Sequence, residues 1–457
     1  MTCYRIDRFG PRKVLRRRGA PRDRNAMFRG AVARIFTGKP IHPMQSMMHA
    51  SVPTVSAPPR PVDWRPLRIA VIGGRGVPSS YSGVEKICED LFADFAARGH
   101  HITVYCRPAV LDKPVAMYRG MRLVRMPAPG GKNGETLSHS LLSLMHATLR
   151  GDEGKKFDLI SMHTVAPNLF LPIAAMAGIP TVAHVHGLDH LREKWKGLGA
   201  RIIRLAERVM VKTAGHIAVV NPALQDYYKD VYRLPTSLLP NGVAIGPDTY
   251  TPDAQVLAKH GIEAGKYFVS VCRVVPEKRL HDVIDALARV KNDHKLVIVG
   301  GAQHSGDYLA RLQQQADAVA PGRVVFAGHQ EGVALRSLFG GATAYVSASE
   351  LEGMPMSVLE CMEFNVPPIL SDIDAHRAIT ASLFGYDWHF AVGDIAALAE
   401  RMSLAVADPA ATAATAAACR AHVRKHFAWP ALSARIELLY LHFADTSEDV
   451  EVLPHAM

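Results

Sequence analysis

From Leu67 onward the chain repeats one pattern: a short apolar run, a glycine or polar turn, then apolar residues at helical spacing. That alternation predicts parallel strands buried on both faces and joined by crossover helices. Leu67–Gly73 (LRIAVIG) is the first such strand, and Val84, Ile87, Cys88, Leu91 and Phe95 follow on one helical face, with Gly99 as a stop. Further strands are expected at Ile102–Cys106, Phe157–Met162, Thr181–Val185 and His216–Val220, with helices at 137–149, 168–177 and 190–213. A second, similar series begins after Asn241-Gly242. Its strands are Tyr267–Cys272, Lys295–Val299, Arg323–Phe326, Ala344–Val346 and Pro368–Leu370, with helices at 280–291, 307–319, 331–339, 356–363 and 394–406. Residues 411–445 read as helical to the end. At 457 residues the chain has room for two to three domains. The fold class is therefore α/β, with two Rossmann-like doubly wound domains, 67–243 and 244–425, facing a central cleft.

The charge sits outside this pattern. Of the net +11, residues 1–66 supply all, with 14 Lys/Arg against three Asp; the remainder balances at 39 of each sign. The folded part is thus not a basic protein, and its charge points to no nucleic-acid ligand. Residues 1–66 read as a disordered tail, because so few apolar groups cannot offset the entropy of ordering. Two other readings compete: a start at Met27, Met44, Met47 or Met48, or a tail that touches anionic lipid or nucleic acid. Six scattered cysteines without a C-x-x-C pair read as reduced thiols in a cytoplasmic protein.

Ligands of open α/β sheets bind beyond the carboxyl ends of strands, so the informative residues are those just after each strand. Gly74 and Gly76 follow the first strand and let backbone approach a ligand. The dinucleotide fingerprint fails here, because Ser79 stands where its third glycine belongs. Arg273 and Lys278 follow the first strand of the second series. A guanidinium and an ammonium on one turn suit a diphosphate. Glu352-Gly353-Met354-Pro355-Met356 follows the strand at 344–346, with Pro355 suited to a helix start and free N–H groups beside it. Glu360 falls within the apolar run of that helix, so its carboxylate needs a partner; the paired hydroxyls of a ribose are one. His184 and His186 share a strand face, with His186 at the strand end. Together with His163, Asp189 and His190 they raise a metal site as a remote reading, and a core histidine is the ordinary reading of His184.

These motifs, in this order, resemble retaining glycosyltransferases of the GT-B fold, of the family-4 type that uses nucleotide-activated sugars. The stretch from Ile72-Gly73-Gly74-Arg75-Gly76-Val77-Pro78 to Tyr81-Ser82-Gly83-Val84-Glu85 is similar to a bacterial subgroup linked to polysaccharide assembly. The resemblance covers about residues 67–445. It implies that Arg273 and Lys278 hold the donor diphosphate, that Glu360 binds the ribose, and that Glu352 sits at the donor sugar. Gly353, Met354, Pro355 and Met356 are then expected to shape the sugar pocket, Gly74 and Gly76 to approach the donor from the other domain, and His186 to face the reacting sugar. Asn241-Gly242-Val243 matches the interdomain junction, and residues 426–457, with Trp429, form a helix returning to the first domain. Cys272, Arg279, Cys361 and Asn365 depart from the family pattern without removing a charged contact.

The expected activity is transfer of a hexosyl or deoxyhexosyl group from a nucleotide-diphosphate sugar to an acceptor hydroxyl, with retention. No metal or other cofactor is expected, since cations and backbone N–H groups can stabilise the leaving group. The expected partners are the donor and a glycan or lipid-linked acceptor, with peripheral contact at the inner face of the membrane as a further reading of the tail. A sugar-nucleotide epimerase and a non-catalytic nucleotide-binding module are the alternatives.

Overall fold

The computed structural model describes residues 64–78, 83–191, 197–302, 306–383 and 385–445. Most of the basic tail lies outside these. Its last residues do not: Trp64 Nε1 donates to Glu437 at 2.9 Å, and Arg65 pairs with Asp158 at 3.0 Å and Asp445 at 2.9 Å. The expected tail boundary at 66 thus falls late, because one indole and one guanidinium find partners on the folded body.

The first half carries β1 (Arg68–Ile72), β2 (His101–Cys106), β3 (Val115–Tyr118), β4 (Met121–Arg125), β5 (Leu159–His163), β6 (Thr181–Val185), β7 (His216–Val219) and β8 (Ser237–Leu238), in the order β3-β4-β2-β1-β5-β6-β7-β8. Among the described strands of this sheet, β3 and β4 alone pair antiparallel. The second half carries β9 (Tyr267–Val271), β10 (Lys295–Val299), β11 (Val324–Gly328), β12 (Ala344–Ser347), β13 (Pro368–Ser371) and β14 (His389–Phe390), in the parallel order β11-β10-β9-β12-β13-β14. Strands such as Leu159–His163 and Thr181–Val185 are buried at every position, as sheets covered by helices on both faces require.

The strand order reverses direction twice, between β1 and β5 in one sheet and between β9 and β12 in the other. At such a switch point the loops after two neighbouring strands diverge and leave a crevice. These two crevices hold the site described below.

The terminal helical stretch is not continuous. Helix Pro409–His426 ends at the buried Phe427, and helix Trp429–Asp445 starts afresh with Pro430 in its first turn. Between them Ala428 pairs with Val243 as a parallel bridge, with Val243 N–H bonded to Phe427 O at 2.8 Å. The last helix then lies on the first half, where Leu432, Ile436 and Tyr440 pack with Ile87, Leu91, Phe92 and Phe95. Among the described residues, no helix is long and apolar enough to cross a membrane.

Candidate active site

At the second switch point, β9 leads into a tight turn, Pro276–Lys278. The turn is fixed from behind: Cys272 N–H bonds Val299 O and Val274 N–H bonds Gly301 O, and a Cβ on Gly300 would lie 1.7 Å from Cys272 O. Lys278 Nζ forms an ion pair with Glu352 Oε1, and both side chains are nearly buried (11% and 13% exposed). Ser349 Oγ donates to the same carboxylate at 2.9 Å. Burial alone would raise the Glu352 pKa, but Lys278, His376 and Ser349 outweigh it and hold the carboxyl below its ordinary range. His376 is fully buried, with Nδ1 at 2.8 Å from Ser371 O, and burial pushes it down to about 4. Arg273 is half-buried on the same loop, and its side chain makes no hydrogen bond or ion pair among the described residues.

Helix Met356–Glu363 begins after Pro355 with no side chain capping its N-terminus. Its first N–H groups therefore remain available to an anion. Glu360 is half-buried on this helix, facing Lys86 and Asp90 of helix Gly83–Ala97. Burial raises its pKa to about 7, with Lys86 drawing it down and Asp90 pushing it up. Gly83 at the start of that opposing helix lies 3.4 Å, measured from a built Cβ, from Met356 Cγ.

The first half meets this loop through the backbone that follows β6, the neighbour of the switch-point strand β5. A Cβ on Gly353 would lie 1.7 Å from His186 O, so the backbone after β6 presses on the backbone after β12. His186 Nε2 is 3.1 Å from His163 Nδ1 at the end of β5, and Gly73, after β1, sits against His163 O with φ +111°. His163 Nε2 lies 3.0 Å from Ser161 Oγ, which lies 2.7 Å from Tyr440 OH, itself 2.6 Å from His184 Nε2. Three of the histidines read for a metal, His163, His184 and His186, are therefore joined in a hydrogen-bonded stack reaching the last helix, whereas His190 lies beside Glu207. Among the described residues no group of three or more His, Cys, Asp or Glu is placed to hold a metal.

The structure thus brings together Lys278, Glu352 and Gly353 with His186, and Met356 and Glu360 with the opposing helix. Gly74 and Gly76 lie in the loop after β1. Gly76 has φ +118° and backs onto Cys106, and Arg75 N–H bonds Glu85 Oε1 at 3.1 Å. Met354 is placed differently from the expected pocket wall. Its side chain is 6% exposed, its Sδ accepts from Asn241 N–H, and its carbonyl accepts from Asn241 Nδ2 at 2.9 Å. A thioether packed at the seam serves to seat the loop. Sequence reasoning missed Asn221, whose Nδ2 donates to Gly353 O at 2.6 Å while its Oδ1 caps helix Pro222–Tyr232. The Asn-Pro pair is a helix-start signal, but nothing local reports a bond across 132 residues. Ser349 and His376 behind Glu352 were missed for the same reason.

Two doubly wound sheets meet here: the second brings a Lys–Glu pair at its switch point with an uncapped helix N-terminus beside it, and the first presses the backbone after β6 on the same loop. Residues 254–426 match the group 1 glycosyl transferases, and residues 81–246 match glycosyltransferase family 4. The chain is 27% identical over 389 residues to an alpha-maltose-1-phosphate synthase of Mycobacterium tuberculosis, covering 79% of this chain and 96% of the relative. It is 26% identical over 243 residues to a UDP-Gal:alpha-D-GlcNAc-diphosphoundecaprenol alpha-1,3-galactosyltransferase of Escherichia coli, covering 50% and 62%. Its fold matches a sucrose-phosphate synthase of Thermosynechococcus elongatus with a TM-score of 0.69 at 20% identity, over 82% of this chain and 98% of that one. The chain belongs to the family-4 glycosyltransferases of the GT-B fold.

Proposed function

We propose that this enzyme moves a hexosyl or deoxyhexosyl group from a nucleotide-diphosphate sugar to a hydroxyl of a glycan or lipid-linked acceptor, with retention, in cell-surface or extracellular polysaccharide assembly. The observation that carries this is the Lys278–Glu352 pair at the second half's switch point, with the backbone of His186 from the first half pressed against Gly353. Arg273, Lys278 and the N-terminus of helix Met356–Glu363 meet the diphosphate. Glu360 accepts from the ribose hydroxyls. The bond between the anomeric carbon and the diphosphate oxygen breaks, and negative charge grows on the phosphate where the cations stand. Positive charge grows on the sugar ring, beside Glu352, whose low pKa keeps it ionised there. The acceptor oxygen attacks on the face just vacated, and its proton passes to the departing phosphate oxygen. His186 faces the reacting sugar and orients it. The proposed charge stabilisation comes from the protein's own cations and calls for no metal.

The E. coli relative's name speaks of a lipid diphosphate acceptor, and the first 66 residues here carry net +11. These two facts support a cytoplasmic enzyme working at the inner face of the membrane. A thermal-shift panel of UDP, GDP, ADP and dTDP sugars names the donor. Lys278→Ala is expected to cost about 100-fold in transfer. Unchanged turnover in the folded variant overturns the assignment.

A further inference from the structure

Behind His186 runs a chain of polar side chains that the proposed reaction does not use. Strands β5 and β6 are parallel neighbours with His163 opposite His184, and residues two apart on a strand share a face. Ser161 and His163 therefore stand beside His184 and His186. The imidazoles are stacked: the His163 ring centre lies 4.7 Å from that of His184 and 5.4 Å from that of His186, with the planes 13° and 18° apart. Tyr440 reaches in from the last helix. The links run from His186 Nε2 to His163 Nδ1 at 3.1 Å, and from His163 Nε2 to Ser161 Oγ at 3.0 Å. They continue from Ser161 Oγ to Tyr440 OH at 2.7 Å and from Tyr440 OH to His184 Nε2 at 2.6 Å. Ser161, His163 and Tyr440 have no exposed surface. Phe92 stands edge-on to His163 at 5.7 Å and Phe95 edge-on to Tyr440 at 5.5 Å, so the middle of the chain is closed to water.

Counting hydrogens restricts what such a chain can do. Burial pushes His163 well below its ordinary value and His184 down to about 3, so both imidazoles are neutral and carry one N–H each. The four links need four hydrogens, and His163, Ser161 and Tyr440 supply one each, with no other side-chain partner among the described residues. The remaining hydrogen comes from an end of the chain. If His184 Nε2 carries it, every link points toward His186, whose Nε2 accepts. If His186 Nε2 carries it, every link reverses and His184 Nε2 accepts. Hydrogens at both ends would force two into one link. Hydrogens at neither end would leave one link empty, and a buried polar group without its bond is costly. We propose that Ser161, His163, His184 and Tyr440 are positioning residues that set the tautomer of His186 as one unit, with Nε2 of His184 and Nε2 of His186 in complementary proton states. The tautomer decides whether the other nitrogen of His186 offers a proton or a lone pair. This deepens the transferase reading above and rests on it for the role of His186.

The test uses the full chain with isotope-labelled histidine and reads by NMR which ring nitrogens carry a proton, in wild type, Tyr440→Phe and Ser161→Ala. Signals are assigned from His184→Gln and His186→Gln. A cooperative thermal melt checks the folding of each protein, and either test variant that folds suffices for the tautomer reading. The expected wild-type result is opposite proton states at the two Nε2 atoms. In the variants that correlation is lost and His186 takes up a mixture of tautomers. For transfer, kcat falls several-fold in each variant while the donor KM holds. The double variant loses no more than the worse single one, because one broken link already disconnects the chain. Like proton states at the two nitrogens in wild type overturn the proposal. So does a His186 tautomer that neither substitution moves, and so do losses in kcat that multiply in the double variant. Failure of the transferase reading is separate: it appears as no stabilisation of the wild-type protein by any nucleotide sugar, and the tautomer signals do not depend on it.

Discussion

Glu352 and Glu360 are the same residue type on one short segment, yet their surroundings drive them apart. The ammonium of Lys278 keeps Glu352 ionised, whereas Glu360, half-buried on its helix, is raised to about 7. For Glu360 the native state binds the proton more tightly than the unfolded chain. Its burden on stability is therefore absent below the ordinary value of 4.5 and grows as pH rises toward about 7. Glu360→Gln should accordingly be more stable than wild type at pH 8 and nearly equal at pH 4, while its affinity for the nucleotide falls; thermal melts across that range measure both. The sequence disclosed that a carboxylate inside an apolar helical run needs a partner. It did not disclose Lys86 and Asp90 opposite, because facing charges on two halves leave no mark in local spacing. Nor did it disclose that Lys278 already has a carboxylate partner before any donor arrives, which makes Arg273 the cation more open to the diphosphate.

The loop from Glu352 to Met356 acts as one element, held by two asparagines of the other half. Asn241→Ala removes the Nδ2 bond to the Met354 carbonyl and leaves the backbone N–H bond to Met354 Sδ in place. We expect a loss of about 1–3 kcal/mol in stability and a raised KM for the donor, measured by denaturant melts and steady-state kinetics. Tyr440→Phe tests the histidine stack. It removes the hydroxyl shared by Ser161 and His184, so kcat should fall several-fold while nucleotide binding is kept, and restored activity in no other aromatic variant at 440 would point to the hydroxyl itself. Elements of this kind were legible to different degrees. Apolar β-branched runs such as Thr181–Val185 and Lys295–Val299 declare themselves, since a strand buried on both faces has few other sequences open to it. The hairpin of β3 and β4 escaped, because Val115–Tyr118 is an edge strand with exposed positions and lacks that signature. Helices Pro222–Tyr232 and Asp374–Thr380 escaped too; each is short and polar on its outer face, so the periodic signal is weak.

At the scale of the molecule, two α/β halves followed from the strand–helix alternation, whereas the strand order that sets their switch points, and the pairing of the two crossings, did not. The chain crosses between them at Val243 and again at Ala428, and the two crossings pair side by side, with Gly242 tight against the Trp429 ring at 2.6 Å from a built Cβ. The last helix also closes the outer face of the first half through Trp429, Leu432, Ile436 and Tyr440. That arrangement sets a timetable for synthesis. The portion translated earliest emerges from the ribosome with an oily flank bare, and it stays so until residues 429–445 have been made, so this enzyme's beginning must wait for its end before either can mature.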